Sequence, residues 1–303
     1  MLSRSPAKHD ILPPMMIVTK VRPAQEEIVV KTYRMRRLIG LTAFGVLLIV
    51  SPAGAVDISP HRALYSLTLD SRKTASGVAA ATGAMYYEWG ETCDGWTVDQ
   101  RFRLRLVYSE EGAVSINSSL LTWESKDGLR YKFNEKRLRN GNVEDDVHGE
   151  AHLDGKGKGG VAQFDKPDQT KFTLAPGVLF PTAHTLVLIE RAQAGDTFLA
   201  RKVFDGAAVE NAGQITAVIG PQLKPDPKAP KPLNNPLLQR PSWRVSLAFF
   251  PADSHKSDVE TPDYQLTMRL LDNGVSQDMT LDYGDYVLKA KLDDIEALPK
   301  PSC

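Results

Sequence analysis

From Trp96 to Tyr108 the chain alternates between apolar and polar residues, and this constrains its fold more than any other feature. Trp96, Val98, Phe102, Leu104, Leu106 and Tyr108 fall on one side. Thr97, Asp99, Arg101, Arg103 and Arg105 fall on the other, and only Gln100 interrupts the apolar series. Successive side chains of a strand point to opposite faces, so period two over this length predicts a long strand with one dry and one wet face. Strands usually run ~5–6 residues, and one this long must curve with a twisted sheet.

Shorter segments of the same kind recur. Tyr65, Leu67 and Leu69 alternate before a stretch of small residues. Val114, Ile116 and Leu120 follow Glu111-Gly112, and Leu129, Tyr131 and Phe133 follow Asp127-Gly128. Asn140-Gly141 precedes Val143 and Val147. Asp-Gly and Asn-Gly supply the positive φ that tight hairpins need. Further strands are expected at Phe198–Phe204, Gln214–Ile219, Trp243–Phe250, Tyr264–Leu271, Val275–Leu281 and Tyr286–Leu292. Asp272-Asn273-Gly274 and Tyr283-Gly284-Asp285 separate the last three, and Asp154 to Gly160 reads as a flexible hairpin tip. Short strands joined by turn signals predict a mainly antiparallel β architecture.

One helix breaks the pattern, from Pro181 as a start to Gly195 as a stop. Leu186, Val187, Leu188 and Ile189 are consecutive, so apolar surface covers most of its circumference. Such a helix is expected to be enclosed by the sheet. Residues 220–241 hold seven prolines and read as an extended, exposed loop. With four strands left after it, a loop inside one domain (residues 56–303) is preferred over a linker between two.

The N-terminal part predicts export. Met35-Arg36-Arg37 precedes an apolar run from Leu38 to Val50, followed by Ser51-Pro52-Ala53-Gly54-Ala55. A basic start, a short apolar core and an A-x-A end make a secretory signal peptide over residues 35–55, with cleavage before Val56. The run is shorter than the ~20 residues of a membrane span. Pro52 also weighs against the alternative of a signal anchor. Residues 1–34 precede this signal, and Met35 is the expected true start, with a long n-region as the alternative. After removal of residues 1–55 the chain has 29 basic and 34 acidic residues, a net charge of −5. That balance argues against a general nucleic-acid binder.

Chemistry-bearing residues are sparse. Cys93 and Cys303 are the two cysteines, and an exported chain is expected to pair them. Two free thiols or an intermolecular bridge at Cys303 are the alternatives. His148 and His152 lie four apart among carboxylates, a metal-like spacing on a helix. Here Val147, Gly149, Ala151 and Leu153 alternate with them, so a solvated strand face is the reading. His184, near the helix start, reads as a satisfied buried or capping histidine. No G-x-S-x-G elbow occurs. Arg101, Arg103 and Arg105 form a basic row, either a solvated face or a contact for an anionic partner or lipid headgroup.

Several segments together resemble the EipB family of periplasmic envelope-integrity proteins of α-proteobacteria. They are Tyr87-Glu88-Trp89-Gly90-Glu91-Thr92-Cys93-Asp94-Gly95-Trp96, Leu179-Phe180-Pro181-Thr182-Ala183-His184-Thr185, Ile189-Glu190-Arg191-Ala192-Gln193-Ala194-Gly195 and Pro299-Lys300-Pro301-Ser302-Cys303. The likeness spans nearly all of Val56–Cys303. It implies a curved antiparallel β-spiral, an open barrel-like sheet around one central helix, with a disulfide at the positions of Cys93 and Cys303. It also implies a soluble periplasmic protein needed for envelope integrity. The spiral is similar in shape to LolA- and LolB-type lipoprotein carriers, which is fold analogy. No catalytic residue, metal or cofactor is carried over. The leading expectation is non-enzymatic binding of a periplasmic protein partner or an apolar ligand. A lipid or lipoprotein carrier and an envelope hydrolase with an unrecognised site are the alternatives. A groove lined by aliphatic and aromatic residues would favour binding, and converging histidine and acid groups would favour hydrolysis.

Overall fold

The computed structural model describes residues 56–71, 77–110, 112–225, 234–252 and 261–303. The predicted signal and the segment before it lie outside them, as does the middle of the proline-rich stretch.

Fourteen strands form one sheet. They are β1 (His61–Leu69), β2 (Val78–Glu91), β3 (Gly95–Tyr108), β4 (Gly112–Ser125), β5 (Arg130–Arg139), β6 (Asn142–Leu153), β7 (Gly160–Lys166) and β8 (Thr170–Leu174). After helix α1 (Pro181–Gln193) come β9 (Phe198–Val203), β10 (Gly213–Leu223), β11 (Ser242–Phe250), β12 (Tyr264–Leu271), β13 (Ser276–Asp282) and β14 (Val287–Ala297). The order across the sheet is β8-β7-β6-β5-β4-β3-β2-β1-β14-β13-β12-β11-β10-β9. Two arms therefore wind outward from the β1–β14 pair, and within each arm every strand neighbours the next in sequence.

The alternation that predicts β3 is what the structure shows. Phe102, Leu104 and Leu106 are buried, while Arg101, Arg103 and Arg105 are exposed. The wall continues through Met85 and Trp89 of β2, which pair with Phe102 and Val98. At the predicted Asn140-Gly141 turn both residues take positive φ, 51° and 82°.

The sheet does not close on itself. Strands β8 and β9 are its two ends and are not paired with each other. The segment entering α1 runs along β9 instead. Leu179 N donates to Lys202 O at 2.9 Å, and Phe204 N donates to Leu179 O at 3.0 Å. The helix thus starts where the two arms of the spiral approach, and one stripe along its length faces the interior. Thr182, His184, Leu188, Ile189 and Ala192 are buried, while Glu190, Arg191 and Gln193 at the far end are exposed. Gly195, with φ of 86°, ends the turn after the helix.

Two apolar clusters fill the interior. The larger joins the inner faces of β1–β4 and β9–β14 to Leu188, Ile189 and Ala192 of α1. The smaller is aromatic: Tyr131, Phe133, Phe164, Phe180 and Phe204 pack ring to ring at the β5–β8 end. Phe180 stacks on Tyr131 with centroids 5.1 Å apart, which fixes the chain at the entrance to the helix. Full burial of such a side chain contributes ~1.5–3 kcal/mol.

The proline-rich stretch differs from the expected exposed loop at both ends. Its first residues belong to β10, whose register with β11 shifts between Ile219 and Gln222, so Pro221 sits at a bulge. A bulge tolerates proline because no ladder N–H is required there. At the other end Pro236–Leu238 forms a short 3-10 turn with Leu238 buried. Finally, Cys93 and Cys303 are joined by a disulfide, tying the β2–β3 turn to the C-terminus across 210 residues.

Candidate functional site: a cavity inside the spiral

The curvature of the sheet leaves a cavity of about 260 Å³ against the start of α1. Its walls are inward-facing residues of the alternating strands, among them Met85, Leu120, Leu247, Phe249, Met268 and Met279. Gln100, the residue that interrupts the apolar series of β3, is one of the few polar groups in this wall. Thr122 follows on β4, and Thr182, His184 and Thr185 enter from the helix. Asp205, after β9, completes the polar part, beside the ring of Tyr131. Among the described residues that line the cavity there is no lysine or arginine.

Glu124 positions the helix against this cavity. It shares the inward row of β4 with Leu120 and Thr122 and pairs with Tyr131 of β5. Its carboxylate accepts the Thr182 N–H at 2.7 Å and the Ala183 N–H at 2.8 Å. These are two of the N–H groups that a helix leaves unpaired at its N-terminus. Phe180, at the N-cap position, has no side-chain oxygen to serve them. Burial pushes the Glu124 carboxyl up to about 7, against the lowering effect of the two N–H donors.

Two more carboxyls lie nearby on the same side. Asp205 is pushed up to about 6 by burial, while its Oδ1 accepts the Ala207 N–H. The Tyr131 hydroxyl donates to the Asp205 carbonyl at 2.7 Å. Glu135 is pushed up to about 7 by burial, opposed by Arg137 beside it.

The histidines of the lining are held neutral. Burial lowers His184 to about 4, and the positive charge of Arg201 adds to the effect. His184 Nε2 has no hydrogen-bond partner, and neither has Trp89 Nε1. His184 is buried as expected, but its Nε2 is unsatisfied among the described residues and the capping is done by Glu124. His61 is lowered by burial and its Nδ1 sits 2.8 Å from Ser59 O.

The hydroxyls of the cavity point elsewhere. Thr185 donates to Pro181 O and Ser276 to Met268 Sδ. Neither of these two hydroxyls donates to an imidazole.

The other residues singled out in the sequence lie away from the cavity. His148 and His152 are exposed on β6, 3.7 Å from Asp165 and 4.0 Å from Asp154. Arg101, Arg103 and Arg105 point outward from β3. Arg101 is paired with Asp99 at 2.7 Å and lies over the Tyr86 ring. Arg103 is flanked by Ala84 and Asn117, and Arg105 by Thr82 and Ser115, so no carboxylate stands directly opposite either.

Known proteins are similar to this chain in sequence and in fold. The cell envelope integrity protein EipB of Brucella abortus (strain 2308) is 34% identical over 247 residues, covering 80% of this chain and 85% of that protein. A crystal structure of a beta-barrel-like protein of a domain of unknown function, also from Brucella abortus, superposes with a TM-score of 0.71 at 30% identity. It covers 81% of this chain and 100% of that chain. The model of the EipB-like family matches residues 52–299, and the chain belongs to that family.

Proposed function

We propose that this protein maintains the cell envelope by binding, holding an apolar ligand in the cavity of its spiral without turnover. The observation that carries this reading is the wall itself: a concave antiparallel sheet whose inner face is aliphatic, aromatic and methionine-rich around empty space. Small-molecule sites are concave, mostly apolar, and carry a few placed polar groups. Methionine adapts its shape to irregular ligands. The envelope role rests on the relative named for envelope integrity. A periplasmic location after export rests on the sequence signal and suits a chain whose disulfide joins Cys93 to Cys303. Among the described residues, no helix is long and apolar enough to cross a membrane.

Hydrolysis is the second reading, because His184 and Asp205 line the same cavity. Complementation of a deletion strain separates the two. Leu247→Trp fills the cavity from β11 and should fail to restore detergent resistance while staying folded. His184→Asn should restore it if the protein acts by binding, whereas under hydrolysis loss of a general base typically lowers a rate ~10²–10⁴-fold and resistance would not return. A folded His184→Asn protein that fails, beside a Leu247→Trp protein that succeeds, would move the assignment to hydrolysis.

The outer basic row serves a separate contact in this proposal. Arg103 and Arg105 face neutral neighbours, which leaves their charge for an anionic partner or headgroup. Replacing both with glutamate should weaken association with anionic vesicles and leave the fold intact.

A further inference from the structure

The cavity has an unusual charge arrangement for an apolar pocket beside a helix N-terminus. Backbone N–H groups at such a terminus form a ready anion site. In this protein that site is already filled. The Glu124 carboxylate takes the N–H groups of Thr182 and Ala183, at 2.7 and 2.8 Å. Among the described residues neither lysine nor arginine lines the cavity, and the positive charge of Arg201 reaches it only through its effect on His184. Burial disfavours the charged form of both cavity imidazoles, His61 and His184. The acid that does line the cavity, Asp205, would repel a second carboxylate when ionised. A buried anion without a paired charge or full hydrogen bonding is strongly disfavoured. Two residues of the lining, Trp89 and His184, each keep a buried ring nitrogen (Nε1 and Nε2) that has no hydrogen-bond partner among the described residues. The indole N–H is a donor only, and an uncharged carbonyl is a suitable acceptor for it.

We infer that the cavity takes an aliphatic segment of about ten heavy atoms whose acid group is esterified or amidated, and excludes the same segment as a free carboxylate. The inference rests on the reading of the cavity as a ligand site. It adds the linkage chemistry of the ligand. Aliphatic chain and neutral linkage enter the apolar wall together, while any charged headgroup stays in solvent. Glu124 then has two roles. It pins α1 to the sheet, and it denies the helix terminus to a competing carboxylate.

The test uses one chain with two head groups. Octanoic acid and its methyl ester differ in charge at pH 8 and otherwise by one methyl group, and isothermal titration calorimetry reports the binding of both. The ester should bind the purified protein at least tenfold more tightly than the acid. Leu247→Trp should abolish ester binding, which locates it in the cavity. Gln100→Lys places a cation in the wall and should reverse the preference toward the acid. If Gln100→Lys does not fold, the wild-type ratio decides alone. Equal binding of the two, or tighter binding of the acid by wild type, overturns the exclusion and leaves the cavity as a ligand site. Binding of neither, or ester binding that persists in folded Leu247→Trp, overturns the cavity reading as well.

Discussion

A single carboxylate connects the helix, the sheet and the cavity. Glu124 satisfies two helix N–H groups from a neighbouring strand. Glu124→Ala would leave both buried donors unpaired, at ~1–3 kcal/mol for each such group, so chemical denaturation should show a loss of about 2–6 kcal/mol. His184 contributes through pH. Its folded value of about 4 lies below the unfolded 6.5, so the unfolded chain takes up the proton first as pH falls. The stability from neutral His184 is complete above about pH 6.5 and is lost progressively down to about pH 4. At 1.36 kcal/mol per unit the full effect is about 3 kcal/mol. Glu124, Glu135 and Asp205 act in the opposite sense, because their raised values favour the protonated folded form as pH drops. The measurement is therefore the difference between wild type and His184→Asn, in which those carboxyls cancel. That difference should shrink as pH falls from 6.5 to 4. A constant difference over that range would show that His184 titrates normally. Neither residue's role was legible in advance. Glu124 could have been found as a carboxyl on the inward row with Leu120 and Thr122. His184 could not, since its neutrality comes from packing that residue spacing does not record.

At the scale of elements, periodicity carried most of the information. β3, β5 and β11–β14 follow from alternation and hairpin dipeptides, and α1 from Pro181, Gly195 and its apolar run. Three strands were not legible. β2 is rich in alanine and glycine at its start, so side-chain contrast is weak there. Close approach explains that composition, because a Cβ at Gly83 would collide with the carbonyl oxygen of Arg103 on β3. β7 and β8 are 7 and 5 residues long, too short for a period to stand out beside the glycine-rich turn before them. The helix is the element most open to test. Leu188 is 1% exposed and sits in the main apolar cluster. Leu188→Asp would bury an unpaired carboxylate there, costing several kcal/mol, and should abolish soluble expression. Wild-type yield and melting temperature in that variant would show that the helix is peripheral.

The whole molecule is a spiral of local hairpins with one long-range seam, β1 against β14. The disulfide lies near that seam and closes a loop of 210 residues. In the chain-entropy model such a loop is worth roughly 5 kcal/mol, although measured gains are usually smaller. Cys93→Ser and Cys303→Ser should lower the melting temperature equally, and the double variant should be no worse than either single one. Additive losses would contradict the pairing. The central claim is that the spiral exists to enclose an apolar ligand. Native mass spectrometry of protein purified gently from the envelope of its own host tests it most directly. Wild type should carry an aliphatic adduct, organic extraction should remove it, and folded Leu247→Trp from the same host should lack it. Wild-type protein that leaves the envelope at its bare polypeptide mass, together with full complementation by Leu247→Trp, would contradict it.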